Sequence, residues 1–296
     1  AYSGDATRQR TGFSDAPLLS DVLGQRESYQ MLAGASWEID LWGRIRRLSE
    51  AAKANLLATQ EARRGVILSL VASVAETYIQ LRGLDDQLEV AKRTLGTYAE
   101  SVRVFELQFK HGQVSQMVVE QARSQYETAA NLIPSLESQI AQAENALGIL
   151  LGRNAGPIPR GKSLSELGNP AVPSGLPSEL LERRPDLAQA EQNLIAANAQ
   201  IGAAKSLYFP SISLTGAYGH QSSELSDLFD GSSRIWNYSG SVTGPIFTAG
   251  AIKGQVKQAR AAREAALLGY QNAILIAFAD VENSLMARQK FADQLK

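Results

Sequence analysis

The sequence predicts an α+β fold, mainly helical, in which long antiparallel coiled-coil helices adjoin two pairs of strands suited to a lipid boundary. Three observations carry that expectation. Apolar residues alternate with polar ones in two separate regions. A proline-free stretch from Arg44 to Lys110 carries a sustained seven-residue apolar repeat. The order strand pair, glycine junction, helix occurs twice.

The first alternating region is read on odd positions from Tyr29 through Met31, Ala33, Ala35, Trp37 and Ile39 to Leu41, with Gln30, Ser36, Glu38 and Asp40 among the even ones. Successive side chains of a strand point to opposite faces, so this pattern gives one oily and one mostly polar face. The run is longer than the roughly 9–11 residues that a tilted strand needs to cross a bilayer. Further along, Ile212, Leu214 and Tyr218 share a face opposite Ser211, Ser213 and Thr215. After a polar loop, Trp236, Tyr238, Val242 and Ile246 fall on a common side, and a soluble half-buried hairpin gives the same pattern as a membrane one. Trp37, Trp42, Trp236 and Tyr238 lie near strand ends, as in the aromatic girdle of a membrane barrel.

The helical region from Arg44 to Lys110 would span roughly 100 Å at 1.5 Å per residue. Its apolar series Ile67, Val74, Leu81, Leu88, Leu95, Val102, Phe109 is accompanied by Leu70, Thr77, Leu84, Ala91, Tyr98 and Phe105. Spacing of this kind over many heptads predicts coiled-coil packing. Gly112 suits a left-handed helix cap. A second series, Val119, Tyr126, Ile133, Ile140, Leu147 with Ala122, Ala129, Leu136, Ala143 and Leu150, then predicts an antiparallel return arm. Pro134 should bend that arm or remove one backbone bond.

The expected segmentation is a first strand pair over 1–43, a helical hairpin over 44–151 with its tip near 110–116, and a proline- and glycine-rich connector over 152–177. A helix over 178–207, a second strand pair over 208–249 and a helix over 250–296 complete it. Gly43 and Gly250 mark the two strand-to-helix junctions of an internal duplication. The first copy lacks a leading helix and the second a return arm, so the chain reads as part of a longer protein.

Net charge is −1 over 296 residues, which argues against nucleic acid as the main partner. Without cysteines there is no disulfide framework, thiol nucleophile or zinc–thiolate site. The opening AYSGDATRQR lacks the basic and apolar regions of a signal peptide. No apolar run is long enough for a transmembrane helix. His111 and His220 lie in different elements and read as solvated residues, not ligands. Glu137, Glu144, Asp186 and Glu191 read as solvated helix faces or first-turn charges. No catalytic motif spacing occurs, so the expectation is no enzyme, no cofactor and no metal site.

WEIDLWGRIRR, the stretch Leu180–Leu214 with its LLERRPDLAQAEQ opening, and GPIFTAGAIKGQ from Gly244 to Gln255 resemble the outer-membrane factor family. These are the TolC-type channels of bacterial efflux and secretion machines, and the middle stretch is similar to the branch partnering RND-type pumps. The resemblance implies a homotrimer in the outer membrane of a Gram-negative bacterium. Each protomer would give four strands to a shared transmembrane β-barrel and its helices to a periplasmic α-barrel. The implied partners are a periplasmic adaptor protein, an inner-membrane RND-type pump and outer-membrane lipid. It also implies adaptor docking at the tip residues Gly112, Val114 and Ser115, and a helix start at the channel equator formed by Arg183, Arg184, Pro185 and Asp186. Trp37 and Trp42 would anchor the membrane interface at the junction. Arg288 and Asp293 would lie near the beginning of a periplasmic gate. A four-stranded sheet cannot close a barrel alone, and open edges are not tolerated in lipid. The resulting expectation is a passive efflux duct. The alternatives are a soluble coiled-coil scaffold and, within the family, a type I secretion channel.

Overall fold

The computed structural model describes residues 2–9, 26–168 and 183–294. They fall into two compact units, residues 1–59 with 187–296, and residues 60–186.

The first unit contains a four-stranded antiparallel sheet in chain order: β1 (Tyr2–Gln9), β2 (Arg26–Ile39), β3 (Ser211–Ser222) and β4 (Arg234–Thr243). Tyr29 pairs with Ser222 and Ile39 with Ile212 across β2 and β3, while Ser211 pairs with Thr243 across β3 and β4. Residues opposite one another share a face. Trp37 and Leu214 therefore stand together, as do Ala33, Tyr218 and Trp236. This is the apolar face expected from the alternation, and it is open: Trp37, Trp236 and Tyr238 are 64%, 66% and 79% exposed. On the opposite face Ser213 bonds Ser241 and Thr215 bonds Ser239, both at 2.7 Å. Near the α-helical end of the sheet a Ser/Thr row thus stands opposite the face bearing Trp37 and Leu214.

The same unit holds the first turns of α1 (Arg44–Lys110), with α3 (Pro185–Ser206) from Leu187 onward and α4 (Ala251–Gln294). Small residues let these helices approach closely. Ala51, Ala54 and Ala58 on α1 and Ala196, Ala199 and Ala203 on α3 are buried. A Cβ on Gly202 would come within 2.9 Å of the Arg47 Cγ. The helix expected over 178–207 runs here from Pro185, and 178–182 lie outside the described residues. The same holds for 169–177 of the expected connector and for residues 10–25 of the expected first strand pair.

The second unit is a helical hairpin of α1 from residue 60 and α2 (Gln116–Leu150). Leu81, Leu84 and Ala91 pack with Leu136, Ala143, Leu147 and Ile158, flanked by Val74, Leu88, Ile133 and Ile140. The predicted seam is therefore the core over its central heptads, whereas Ile67, Leu70 and Phe109 at its ends are exposed. Helix α2 continues through Pro134 without interruption. Both helices of the hairpin stop by the same device. Gly112 has φ +71°, with Gly112 N donating to the Phe109 carbonyl at 2.9 Å and Gln113 N to the Gln108 carbonyl at 2.8 Å. Gly152 has φ +66°, with Arg153 N donating to the Gly148 carbonyl at 2.9 Å. These paired bonds satisfy carbonyls that a helix end otherwise leaves open.

Candidate functional site

Three places gather the residues singled out by sequence: the strand–helix seam, the hairpin tip, and the start of α3. The seam is built where β2 gives way to α1. Gly43, buried with φ +77°, makes the turn, and the Gly43 carbonyl accepts the first helical bond from Arg47 N at 2.9 Å. Asp40 then caps the helix. Its carboxylate accepts from the amides of Ile45 and Arg46, each at 2.9 Å, and from the Arg46 guanidinium at 3.2 Å. Desolvation pushes the Asp40 carboxyl up, but the Arg46 and Ile45 amides outweigh it and hold it below the usual carboxylate range. Glu38 takes the Arg44 guanidinium in a two-pronged pair, with Nε at 3.1 Å and Nη2 at 2.5 Å. The alternation placed Glu38 and Asp40 on the polar face without assigning them partners; their carboxylates bind the start of α1. Asp40 lies three positions before the N-cap place held by Gly43, so the ordinary N-cap signal could not have found it, and the strand alternation runs through it.

Trp42 closes the other side of the seam. Its ring stacks on Phe209 with centroids 4.4 Å apart, and its Nε1 donates to the Pro210 carbonyl at 2.7 Å. The end of α3, the start of β3 and the end of β2 are thereby tied together. Around them lies a cleft of about 350 Å³ whose lining includes Glu38, Asp40, Arg44, Phe209 and Thr243. Gly250, φ +86°, precedes α4 as Gly43 precedes α1, and the Gly250 carbonyl accepts from Gly254 N at 2.9 Å. Ala249 beside it also has positive φ, +47°. Trp37 stands on the open apolar face and joins none of these contacts.

At the tip, Gly112 has the left-handed geometry expected of it, Val114 is half-buried, and Ser115 is the N-cap of α2 in extended backbone. The Ser115 carbonyl, not its hydroxyl, accepts from Val118 N at 3.1 Å. His111 is exposed beside them. At the start of α3, Arg184 grips Asp186 through Nε at 3.0 Å and Nη2 at 2.7 Å, while Arg183 is exposed. Pro185 occupies the first helical position, where a missing N–H costs nothing. Its ring lies 3.9 Å from where a Cβ on Gly65 would be.

Two readings of polar residues need correction. Glu144 is not a solvated helix charge. It accepts from the Ile158 amide at 3.2 Å and from the Arg160 guanidinium, which holds its carboxyl below the ordinary range. Glu137, by contrast, remains exposed in a loose pair with Lys92 at 3.6 Å. His220 is not simply solvated. Its Nδ1 lies 2.9 Å from the Ser233 hydroxyl, and its ring tilts against Phe229. Neither contact could be read from spacing, because each joins an element to a loop distant in pattern. Among the described residues no helix is long and apolar enough to cross a membrane.

This combination defines a class: an antiparallel sheet with an open apolar face, feeding long helices through glycine-hinged seams. Comparison with known proteins agrees. The family described as "Outer membrane efflux protein" matches residues 1–153 and 176–296, and the chain belongs to that family. The cation efflux system protein CusC of Escherichia coli K12 is 38% identical over 263 residues, 88% of this chain and 57% of CusC. The toluene efflux pump outer membrane protein TtgF of Pseudomonas putida is 38% identical over 294 residues, 98% of this chain and 60% of TtgF. The chain therefore spans about three fifths of the length of these relatives. A crystal structure of CusC superposes with a TM-score of 0.87 at 35% identity, covering 99% of this chain and 68% of that one. The open state of the Neisseria gonorrhoeae MtrE outer membrane channel gives 0.80 at 34% identity, covering 99% and 65%. The protein is one of the outer membrane.

Proposed function

We propose that this chain forms part of the outer-membrane channel of a tripartite efflux pump. The channel is a passive duct that carries small molecules to the cell exterior without covalent chemistry of its own. Three copies share one β-barrel, each giving four strands, and their helices form a periplasmic α-barrel. The energy comes from an RND-type pump in the inner membrane, reached through a periplasmic adaptor that docks at Gly112, Val114 and Ser115. Trp37 and Trp42 anchor the membrane interface beside the Gly43 and Gly250 hinges. Arg183, Arg184, Pro185 and Asp186 start the equatorial helix. The two strand-pair-and-helix units descend from an internal duplication.

The observation that carries this reading is the sheet. Among the described residues β1 and β4 each pair on one side only, and the face bearing Trp37, Trp236 and Tyr238 is open. A sheet with two free edges and an oily face is unstable in water and, alone, in lipid. Ring closure with other copies satisfies both edges, and lipid covers the face. The names of the relatives support the efflux role: one concerns cations, the other toluene.

The test uses the full-length protein purified in detergent. The expected result is a particle of three chains that gives steady conductance in a planar bilayer. A monomer that stays dissolved in plain buffer with its strands intact, and gives no conductance, overturns the proposal in favour of a soluble scaffold.

A further inference from the structure

The base of the helical hairpin is held by a segment that belongs to neither arm. After α2 the chain doubles back, and Ile158 inserts its side chain among Leu81, Leu84 and Leu147. The Ile158 amide donates to Glu144 of α2 at 3.2 Å. Two residues on, the Arg160 guanidinium grips Asp85 of α1 with Nε at 2.8 Å and Nη2 at 3.1 Å. Its remaining nitrogen meets Glu144 and, at 2.6 Å, the Ile158 carbonyl. Next, the Gly161 amide donates to the Tyr78 hydroxyl of α1 at 2.8 Å, a fit so close that a Cβ on Gly161 would lie 3.1 Å from that oxygen. One arginine thus bridges carboxylates on both arms. Arg82, itself bonded to Asp85 at 2.9 Å, adds a second cation, and Glu166 closes the segment by accepting from Ser163 N at 2.8 Å.

The other end of the hairpin is held differently. Toward the tip the arms are joined by Arg123 and Glu106 at 2.7 Å, and midway by Lys92 and Glu137, all four well exposed. Exposed pairs of this kind contribute little. Apolar packing fades in the same direction. Leu81 and Leu147 are 0% and 1% exposed; toward the tip only the smaller Val119 and Ala122 are buried, while Val102, Phe105 and Tyr126 are half-buried and Phe109 is exposed. Helix α2 also contains Pro134 between clamp and tip, where a backbone bond is missing by chemistry.

We propose that residues 158–166 form a strap that locks the base of the hairpin, so that α1 and α2 move there as one body and compliance is confined to the tip half. The lock is a charge-and-plug device: Ile158 fills the core gap, and Arg160 ties the two arms from outside. Arginine is required because its planar fork satisfies Asp85 with two nitrogens while a third reaches Glu144, which a lysine cannot do. The strap stands whether or not the chain forms a channel. In the channel reading it limits adaptor-driven movement to the docking end.

The chain has no cysteines, so spin labels can be placed cleanly. One pair, Gln80→Cys with Asn145→Cys, reports on the base; another, Leu107→Cys with Gln121→Cys, reports on the tip. Both are read in assemblies diluted with unlabelled full-length protein. In the otherwise unaltered protein the base distance distribution is expected to be narrow and the tip distribution clearly broader. Arg160→Gln is expected to broaden the base distribution to match the tip, and Arg160→Lys to give an intermediate width, with helix content unchanged by circular dichroism. A base distribution that stays narrow in Arg160→Gln, or one already as broad as the tip without substitution, overturns the proposal. Should the variants fail to fold, amide exchange on the unaltered protein decides. The Ile158 and Gly161 amides are expected to exchange at least about tenfold more slowly than those of the flanking Pro- and Gly-rich chain, and exchange at the flanking rate overturns the strap.

Discussion

Gly219 in β3 is the position at which the sheet is least able to accept a side chain. A Cβ placed there would lie 2.0 Å from the Met31 carbonyl oxygen and 2.9 Å from both the Cα and a terminal carbon of Leu32. Real Cβ atoms essentially never approach closer than 3.0 Å, so relief requires about 1 Å of separation between β2 and β3 at the Leu32–Gly219 pair. The obstructing atoms are mainly backbone, which cannot swing aside. Gly216, three residues earlier in the same strand, is the internal control: a Cβ there meets only the Asn237 carbonyl, at 3.8 Å. Overpacking of this kind costs about 1–3 kcal/mol and sometimes more, while an unobstructed Gly→Ala change in a strand gains about 0.5–1 kcal/mol. Gly219→Ala should therefore fall at least about 1.5 kcal/mol below Gly216→Ala, on the order of a tenfold change in the folded ratio or more. Denaturant unfolding followed by tryptophan fluorescence, with Trp37 and Trp236 as reporters, measures the difference. Equal midpoints for the two variants would refute the register and packing described for β2 and β3.

Three further outcomes follow from local geometry. Gly112→Ala meets no atom within 4 Å, so its cost is purely that of holding φ +71°, about 1–2 kcal/mol by thermal unfolding; no loss would mean the turn is not left-handed. Trp42→Phe keeps the stack on Phe209 but loses the bond to the Pro210 carbonyl, worth about 0.5–1.5 kcal/mol. Trp42→Ala should lose more, and equal melting of all three proteins would contradict the seam. The Glu144 carboxyl is held down in the folded hairpin by Arg160, so its stabilising contribution is fully present above the ordinary carboxylate range and is lost as pH falls through the lowered value. Thermal unfolding should show no Glu144-dependent change between about pH 8 and pH 6, and Glu144→Gln should remove the acid-side dependence.

Much of this architecture was legible because two periodicities dominate it. Alternation from Tyr29 to Ile39 located the strand and its faces, and the heptads located the hairpin core from Val74 through Ala91. Gly43, Gly112 and Gly250 could be read because left-handed backbone strongly favours glycine. What escaped was polar and local. Asp40 was read as part of a strand pattern, although it serves the helix that follows. Glu144 carries no mark in its own heptad, because its partner Arg160 sits in a connector whose composition predicts only irregular chain. Leu41, apolar and in phase, proved to lie beyond the strand end at Ile39 and is exposed. Periodicity cannot tell where a strand stops when the next residues happen to continue its phase.

In the proposed channel β1 of one copy meets β4 of another in a closed ring. Within a single chain those strands lie at opposite edges of the sheet, separated by β2 and β3. At about 4.8 Å per strand step they are roughly 14 Å apart, twice the reach of a disulfide. Cysteine pairs, one scanned along β1 and one along β4, can therefore cross-link only between copies. In native membranes the account predicts, for the registers that align, a disulfide-linked ladder that stops at three chains. Absence of cross-linking at every register, or a ladder that stops at two or runs past three, would contradict it.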